Sequence, residues 1–173
     1  DAIGAVESVV GVSGKNFITN PYVVAHQRTI ADVGYDGNMN FELLVAQQPD
    51  IVLLYGVTGA CTMESKLDEL GIPYIYIGEY VEEDPLGKAE WLIALAEIVG
   101  LRQQGQTYFS ELPQRYEQLK SMAASAQTPT PKVMINTPYA DSWFMPSTTS
   151  YIARLIADAG GDYIYQQNTS NHS

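Results

Sequence analysis

The chain is 173 residues long, with a hydrophobic fraction of 46% and a formal net charge of -11 at pH 7. This length and composition indicate a globular protein with a buried core rather than a disordered chain. The acidic balance argues against nucleic acid or an anionic membrane surface as the main partner, because both require clustered Lys and Arg. No apolar run is long enough to predict a membrane-spanning helix.

The first half of the chain alternates short, unbroken apolar runs with amphipathic segments. Strands are predicted at residues 8–12, 50–55 and 74–77, with helices at residues 41–48 and 63–70. Asp36-Gly37-Asn38 is typical of a turn, and Asn38 or Asn40 can cap the helix that follows. Continuous apolar strands separated by helices predict a parallel sheet covered on both faces.

A well-signalled helix at residues 82–100 leads into a long amphipathic helix at residues 103–126. Pro113 lies inside the long helix, so we expect a kink or a break into two helices near Glu111. After a proline-rich break, the sequence predicts a strand at 132–136, a helix at 151–159 and a strand from 163.

The order of these elements predicts an α/β fold: a parallel-sheet lobe with flanking helices, a long connecting helix and a partial second α/β lobe. The predicted boundaries are 1–101 for the first lobe, 102–127 for the inter-lobe helix and 128–173 for the start of the second lobe.

Ligands of parallel-sheet proteins gather outside the carboxyl ends of the strands, which selects the loops after Val12, Tyr55, Ile77 and Asn136. Gly56 and Thr58 add small and polar groups to the second of these loops. Aromatic rings with a few polar groups suit a large flat ligand such as a macrocycle or a catechol-bearing chelate. Alternatively, some of the rings only cap the ends of the sheet. The ligand-binding residues predicted in and beside these loops are Lys15, Asn16, Phe17, Tyr55, Glu79, Tyr80, Tyr139, Trp143 and Phe144.

The sequence predicts neither a protein metal site nor catalysis. His26 and His172 are far apart, and Cys61 is the only cysteine and suits a small core position. Residues 11–14 fall one residue short of the nucleophile-elbow pattern, and no phosphate-binding glycine motif is present. We therefore expect no intrinsic cofactor, and any metal would arrive inside a chelate or porphyrin. A tyrosinate ligand to haem iron stays open as an alternative, with Tyr55, Tyr80 and Tyr139 available.

Three segments give the sequence a family resemblance: G-x-D-G-N-x-N-x-E at residues 34–42, x-P-D-I-V at 48–52, and S-x-x-x-x-L-I-x-D-A-G-G at 150–161. Together with the order of the predicted elements, they resemble the periplasmic substrate-binding proteins of ATP-driven (ABC) importers, in the helical-backbone class that carries iron-siderophores, haem and cobalamin. The resemblance covers nearly the whole chain.

The resemblance implies two α/β lobes joined by one long helix, with a metal-chelate ligand held in the cleft between them. It implies an extracytoplasmic receptor, either periplasmic or lipid-anchored, that hands its ligand to an ABC permease. Surface glutamates of this family dock to the permease, and Glu64 is the position nearest to one of them, although Cys61 occupies the aligned place. Solvated surface charge is the alternative for Glu64.

The resemblance also implies that the first strand and most of the first helix would precede Asp1, and that most of the second lobe would follow Ser173. Sheet edges exposed in this way predict a dimer or a swapped assembly. Two other functions stay open at this point: an α/β enzyme lobe, such as a reductase or transferase without a transport role, and a sensor domain of the same fold.

Overall fold

The computed structural model describes residues 2–26, 28–35, 37–56 and 63–169. The chain divides into two compact units, Asp1–Gly78 and Glu79–Ser173. Within the described ranges, no helix is both long enough and apolar enough to cross a membrane. The lobe boundaries at residues 101 and 127 stay a prediction, since the division at Gly78 groups residues only by their mutual contacts.

The first unit contains two pairs of short parallel strands, β1 with β2 and β3 with β4. In the register of the second pair, Val52, Leu53 and Leu54 lie opposite Tyr74, Ile75 and Tyr76. Short 3-10 helices occur at Val6–Ser8 and Lys15–Phe17. The strands and α-helices are β1 (Gly11–Val12), α1 (Pro21–Ala25), β2 (Ala31–Asp32), α2 (Phe41–Ala46), β3 (Val52–Leu54), α3 (Glu64–Leu70) and β4 (Tyr74–Tyr76).

One hydrophobic core holds the first unit together. Val33 beside β2, Leu44 of α2, Leu54 of β3 and Leu67 of α3 are all buried and form one cluster. Helix α2 begins where the side chain of Asn40 accepts a hydrogen bond from the Leu43 amide at 2.9 Å, as an N-cap does. Because both strand pairs and the helices α2 and α3 contribute to one core, the carboxyl ends of the strands have fixed positions within the unit.

The amino-terminal third differs from the prediction in three places. The strand predicted at residues 8–12 is confined to Gly11–Val12, because the amides of Ser8 and Val9 bond back to carbonyls of a 3-10 turn. Strand β2 and helix α1 were not predicted. Helix α1 has a recognisable start, since Asn20 caps it and Pro21 opens it.

The turn predicted at Asp36-Gly37-Asn38 is present in its described part. Gly37 has a left-handed φ of 82°, and the Asn38 amide donates to the Tyr35 carbonyl at 2.8 Å. Asp36 lies outside the described residues.

The second unit is built mainly from helices around one short parallel strand pair, β5 with β6. A 3-10 helix, Glu79–Val81, opens the unit. Ala153 and Ile156 of the last helix and Tyr163 of β6 form the buried cluster beneath the strands. The elements are α4 (Pro85–Ile98), α5 (Arg102–Ser110), α6 (Leu112–Ser125), β5 (Lys132–Val133), α7 (Tyr151–Asp158) and β6 (Asp162–Tyr163).

The long helix predicted at residues 103–126 is two helices, and the predicted break near Glu111 is confirmed. Helix α5 ends at Ser110 and α6 begins at Leu112, so Glu111 stands between them. Pro113 then lies in the first turn of α6, where an amide has no partner within the helix. The proline therefore starts a helix instead of interrupting one.

Helices α4 and α5 approach each other closely through small residues. Ala96 of α4 is fully buried, and Gly105 of α5 is buried beside it. A Cβ atom added at Gly105 would lie only 2.5 Å from the Cβ atom of Ala96. Glycine is therefore required here by the distance between the helices, although it is a poor helix former.

We expect Gly105→Ala to destabilise the protein by about 1 to 3 kcal/mol, because overpacking outweighs the gain of about 1 kcal/mol in helix propensity. Chemical unfolding measures the change. Gln106→Ala, an exposed change on the same helix, is the control and should leave stability unchanged. The double variant Gly105→Ala with Ala96→Gly should recover most of the loss. A stabilised Gly105→Ala protein would contradict the close approach.

Asp158, at the end of α7, connects this helix to α6. The Tyr116 hydroxyl donates to Asp158 Oδ2 at 2.7 Å, and Lys120 Nζ lies 3.0 Å from Asp158 Oδ1. Burial alone would raise the pKa of Asp158, but the hydrogen bonds from Tyr116 and Lys120 and the charge of Lys120 outweigh it, so the pKa of this carboxyl lies below its usual value. Burial and the bond to Asp158 raise the pKa of the Tyr116 hydroxyl.

We expect Asp158→Asn to lower the free energy of unfolding at pH 7 by about 1 kcal/mol, because two partly exposed partners lose a charged acceptor. A lowered carboxyl pKa stabilises the fold above the unfolded-state pKa, and this contribution disappears as the pH falls through the folded-state pKa. The difference between the parent and the variant should therefore begin to shrink as the pH falls below about 4, and it should vanish only below the folded-state pKa. Urea unfolding across pH 2 to 7 measures the difference, and a difference as large at pH 2 as at pH 7 would contradict this assignment.

Candidate functional site

The loop after β1 is fixed by a side chain from the neighbouring strand. Asp32, the last residue of β2, accepts hydrogen bonds from three backbone amides: Gly14 at 3.2 Å, Lys15 at 3.1 Å and Gly34 at 3.3 Å. Gly14 has a left-handed φ of 65°, which turns the chain back towards Asp32. The Asp32 carboxylate thus joins the two loops that leave β1 and β2.

This arrangement places two exposed aromatic rings at the carboxyl ends of β1 and β2. Phe17 is 86% exposed and Tyr35 is 58% exposed. Both rings flank Gly14, since a Cβ atom there would lie 3.1 Å from the Phe17 ring and 3.9 Å from the Tyr35 ring. Asn16 is exposed between Lys15 and Phe17. The sequence analysis identified Phe17 but not Tyr35, because Tyr35 follows a strand that it did not predict.

Lys15 belongs to the same loop, but its ammonium group bonds to the protein backbone instead of extending into solvent. Its Nζ atom donates to the Ile30 carbonyl at 2.6 Å, just before β2. The side chain is half-buried. Lys15, like Asp32, therefore connects the loop after β1 to the neighbouring strand β2.

The other two predicted residues of the first unit, Tyr55 and Glu64, lie beside the second strand pair. Tyr55 follows β3 directly, and its side chain is half-exposed. Glu64 is the first residue of α3, and its carboxylate accepts a hydrogen bond from the Tyr76 hydroxyl of β4. Glu64 is only partly exposed. Thr58 and Cys61, between them in the sequence, lie outside the described residues.

In the second unit, Glu79 and Tyr80 lie in the 3-10 helix Glu79–Val81, and Lys88 of α4 holds this turn. The Lys88 ammonium pairs with the Glu79 carboxylate and donates to the Glu79 carbonyl at 3.1 Å. It also lies 4.7 Å from the ring centroid of Tyr151, as a cation–π contact. The charge of Glu79 is thus compensated within the unit.

The loop after β5 is closed by hydrogen bonds from its side chains to its backbone. Asn136, with a left-handed φ of 63°, donates from Nδ2 to the Phe144 carbonyl at 2.7 Å. The Trp143 indole donates to the Ile135 carbonyl at 3.1 Å. Tyr139 forms a short antiparallel bridge with Ser142. The loop presents Tyr139 at 79% exposure and Phe144 at 57%, with Trp143 also exposed.

The structure therefore groups the predicted residues by unit. In the first unit Lys15, Asn16 and Phe17 share one loop, and in the second unit Tyr139, Trp143 and Phe144 share another. Among the described residues no group of three or more His, Cys, Asp and Glu side chains is arranged to hold a metal ion. His26 stacks on the Tyr22 ring, with centroids 3.9 Å apart. His172 lies outside the described residues.

We expect Asp32→Ala to release the loop after β1, because three backbone amides lose a charged acceptor. Hydrogen exchange measured by NMR should show protection falling about tenfold at Gly14, Lys15 and Gly34, equivalent to about 1.4 kcal/mol of local stability. Asp50→Ala, at an exposed position before β3, is the control and should leave these amides unchanged. Unchanged exchange in Asp32→Ala would show that the loop holds its conformation without the carboxylate.

The family model described as periplasmic binding protein matches residues 1–173. The chain is 27% identical over 168 residues to the uncharacterized lipoprotein MJ0878 of Methanocaldococcus jannaschii, covering 95% of this chain and 40% of that protein. Two solved structures are similar in fold. One is a periplasmic heme binding protein from Pseudomonas aeruginosa, with a TM-score of 0.69, 20% identity, and coverage of 94% of this chain and 57% of that one.

The other is the periplasmic vitamin B12 binding protein BtuF of Vibrio cholerae, with a TM-score of 0.68, 17% identity, and coverage of 98% of this chain and 62% of that one. The chain thus spans about half the length of the proteins it matches. These likenesses confirm the α/β fold class predicted from the sequence.

Proposed function

The chain belongs to the periplasmic binding protein family, and on that premise we propose that it is part of the solute receptor of an ABC importer. The family predicted from three sequence segments is thereby confirmed. We propose that the receptor captures an iron complex, either a siderophore or haem, or a cobalamin. The observation that carries the proposal is the set of exposed aromatic rings on hydrogen-bonded loops at the carboxyl ends of the strands.

Exposed rings at these positions support a ligand with flat or apolar faces. Phe17 and Tyr35 in one unit, and Tyr139 and Phe144 in the other, leave much of their surface in water in the absence of a ligand. Covering one such ring with a ligand face contributes about 1 kcal/mol. The loops are already ordered by hydrogen bonds of Asp32 and Asn136, so little conformational entropy is lost on binding.

We propose that metal reaches this protein only inside its ligand, as chelated iron or cobalt, and that the receptor has no intrinsic cofactor and performs no covalent chemistry. The two similar structures are those of a heme binding protein and a vitamin B12 binding protein. Haem and vitamin B12 are both macrocycles with a metal at the centre and a broad face for aromatic contact. We extend this chemistry to the present chain because its exposed rings offer the matching surface.

The importer's permease is the second partner that we propose, with Glu64 as a docking residue. The Tyr76 hydroxyl fixes the Glu64 carboxylate while part of the side chain stays exposed. A carboxylate held in this way can meet an arginine of a partner with little loss of side-chain entropy. We propose an extracytoplasmic location, which the lipoprotein relative supports. The dimer or swapped assembly stays a prediction.

Tryptophan fluorescence tests the ligand class, since Trp143 lies in the aromatic loop after β5. We expect haem, cobalamin or one of two ferric siderophores, a trihydroxamate and a tris-catecholate, to quench emission with saturation. Phe17→Ala should weaken binding about fivefold, equivalent to about 1 kcal/mol for one ring contact.

The control for this measurement is Tyr108→Ala, which removes an exposed ring from α5 and should leave affinity unchanged. The absence of a saturable response to any of the four probes would overturn the proposed receptor function. Turnover of a substrate without such binding would favour the α/β enzyme instead.

A further inference from the structure

The chain has nine basic side chains against twenty acidic ones, and all nine lie in the described part. Two of them, Lys15 and Lys88, lie at or against the loops that follow the strands. Both are directed at the protein: Lys15 donates to the Ile30 carbonyl at 2.6 Å, and Lys88 pairs with Glu79 and donates to its carbonyl at 3.1 Å. Their charges are therefore used to hold the loops in place.

None of the other seven basic residues lies in a loop that follows a strand, although Arg154 of α7 reaches Glu83, two residues after the turn Glu79–Val81, and pairs with it. Four form ion pairs that involve helical residues, and these pairs are Lys66–Glu69, Arg102–Glu97, Lys120–Asp158 and Arg154–Glu83. Arg28 precedes β2 and Lys132 begins β5, so both lie at amino ends of strands. Arg115 lies on α6. None of the seven is in a loop that carries the predicted ligand-binding residues.

Acidic and aromatic groups remain at these loops. Asp32 places a carboxylate among the three amides at the end of β2. Asp141 is exposed between Tyr139 and Trp143 in the loop after β5. An anion bound at these loops would lose water without gaining a basic partner from them, and it would be repelled by their carboxylates.

We infer that the strand-end loops select a ligand without net negative charge, either a neutral or a cationic complex. This inference rests on the proposed receptor function and narrows its ligand class. An anionic ligand could recruit Lys15 or Lys88 only by taking the ammonium group from the Ile30 carbonyl or from Glu79. In both cases a polar group of the protein would lose its hydrogen-bond partner, which is unfavourable.

Matched pairs of ligands test the inference within each class. The pairs are a neutral ferric trihydroxamate with a trianionic ferric tris-catecholate, haem dimethyl ester with haem, and cobalamin with a cobalamin monocarboxylate. In the class that binds, isothermal titration should show the less anionic member binding about tenfold more tightly. Added salt should improve binding of the more anionic member by screening repulsion.

Equal affinity within the pair, or tighter binding of the more anionic member, would overturn the inference and leave the receptor function intact. Failure of all six probes to bind would overturn the receptor function itself, and the inference would fall with it. The two failures are therefore distinguishable.

Charge reversal at one exposed position locates the effect. The quantity compared is the affinity for the more anionic ligand of a pair divided by the affinity for the less anionic one. Asp141→Lys should raise this ratio about fivefold, because it places a basic group beside the Tyr139 and Trp143 rings. Asp50→Lys makes the same charge change before β3, at the amino end of that strand, and should leave the ratio unchanged. Equal shifts in both variants would show that total charge sets the preference, which overturns its assignment to the strand-end loops.

Discussion

The first unit depends on one carboxylate that accepts hydrogen bonds from three backbone amides. Asp32 sits at the end of β2 and joins its own loop to the loop that leaves β1. A loop in this position would otherwise expose amides without fixed partners and sample many conformations. Because the carboxylate orders the backbone, Phe17 and Tyr35 can stand exposed beside Gly14 without depending on each other for their positions.

In the second unit, different polar side chains order the loops that carry the aromatic rings. Lys88 fixes the turn that carries Tyr80, and Asn136 and Trp143 close the loop after β5 through bonds to backbone carbonyls. In each unit, polar side chains bond to the loop backbone and leave ring surface in water. Hydrogen bonding thus supplies the rigidity, and the aromatic rings supply the surface available for contact.

Elements with strong local signals were predictable from the sequence. Helix α4 is capped by Asp84 and opened by Pro85, α7 is capped by Ser150, and the break at Glu111 follows from Pro113. Strand β2 was not predictable, because two residues show no periodicity and pair only through β1. The role of Asp32 depends on that pairing, so neither Asp32 nor Tyr35 could be assigned to the candidate site from local sequence.

Contacts that form only in the folded chain also explain why the predicted site residues do not all have the same role. Residue type and position after a strand selected Lys15 and Glu79 together with the rings, but sequence position does not show where a charged group points. The structure pairs each of these charges inside the protein, with the Ile30 carbonyl and with Lys88. Charged groups at the strand ends therefore build the loops, whereas the exposed rings of Phe17, Tyr35 and Tyr139 supply the surface on which binding would depend. With the proposed function, loops organised in this way would distinguish ligands by shape and net charge more than by individual ion pairs.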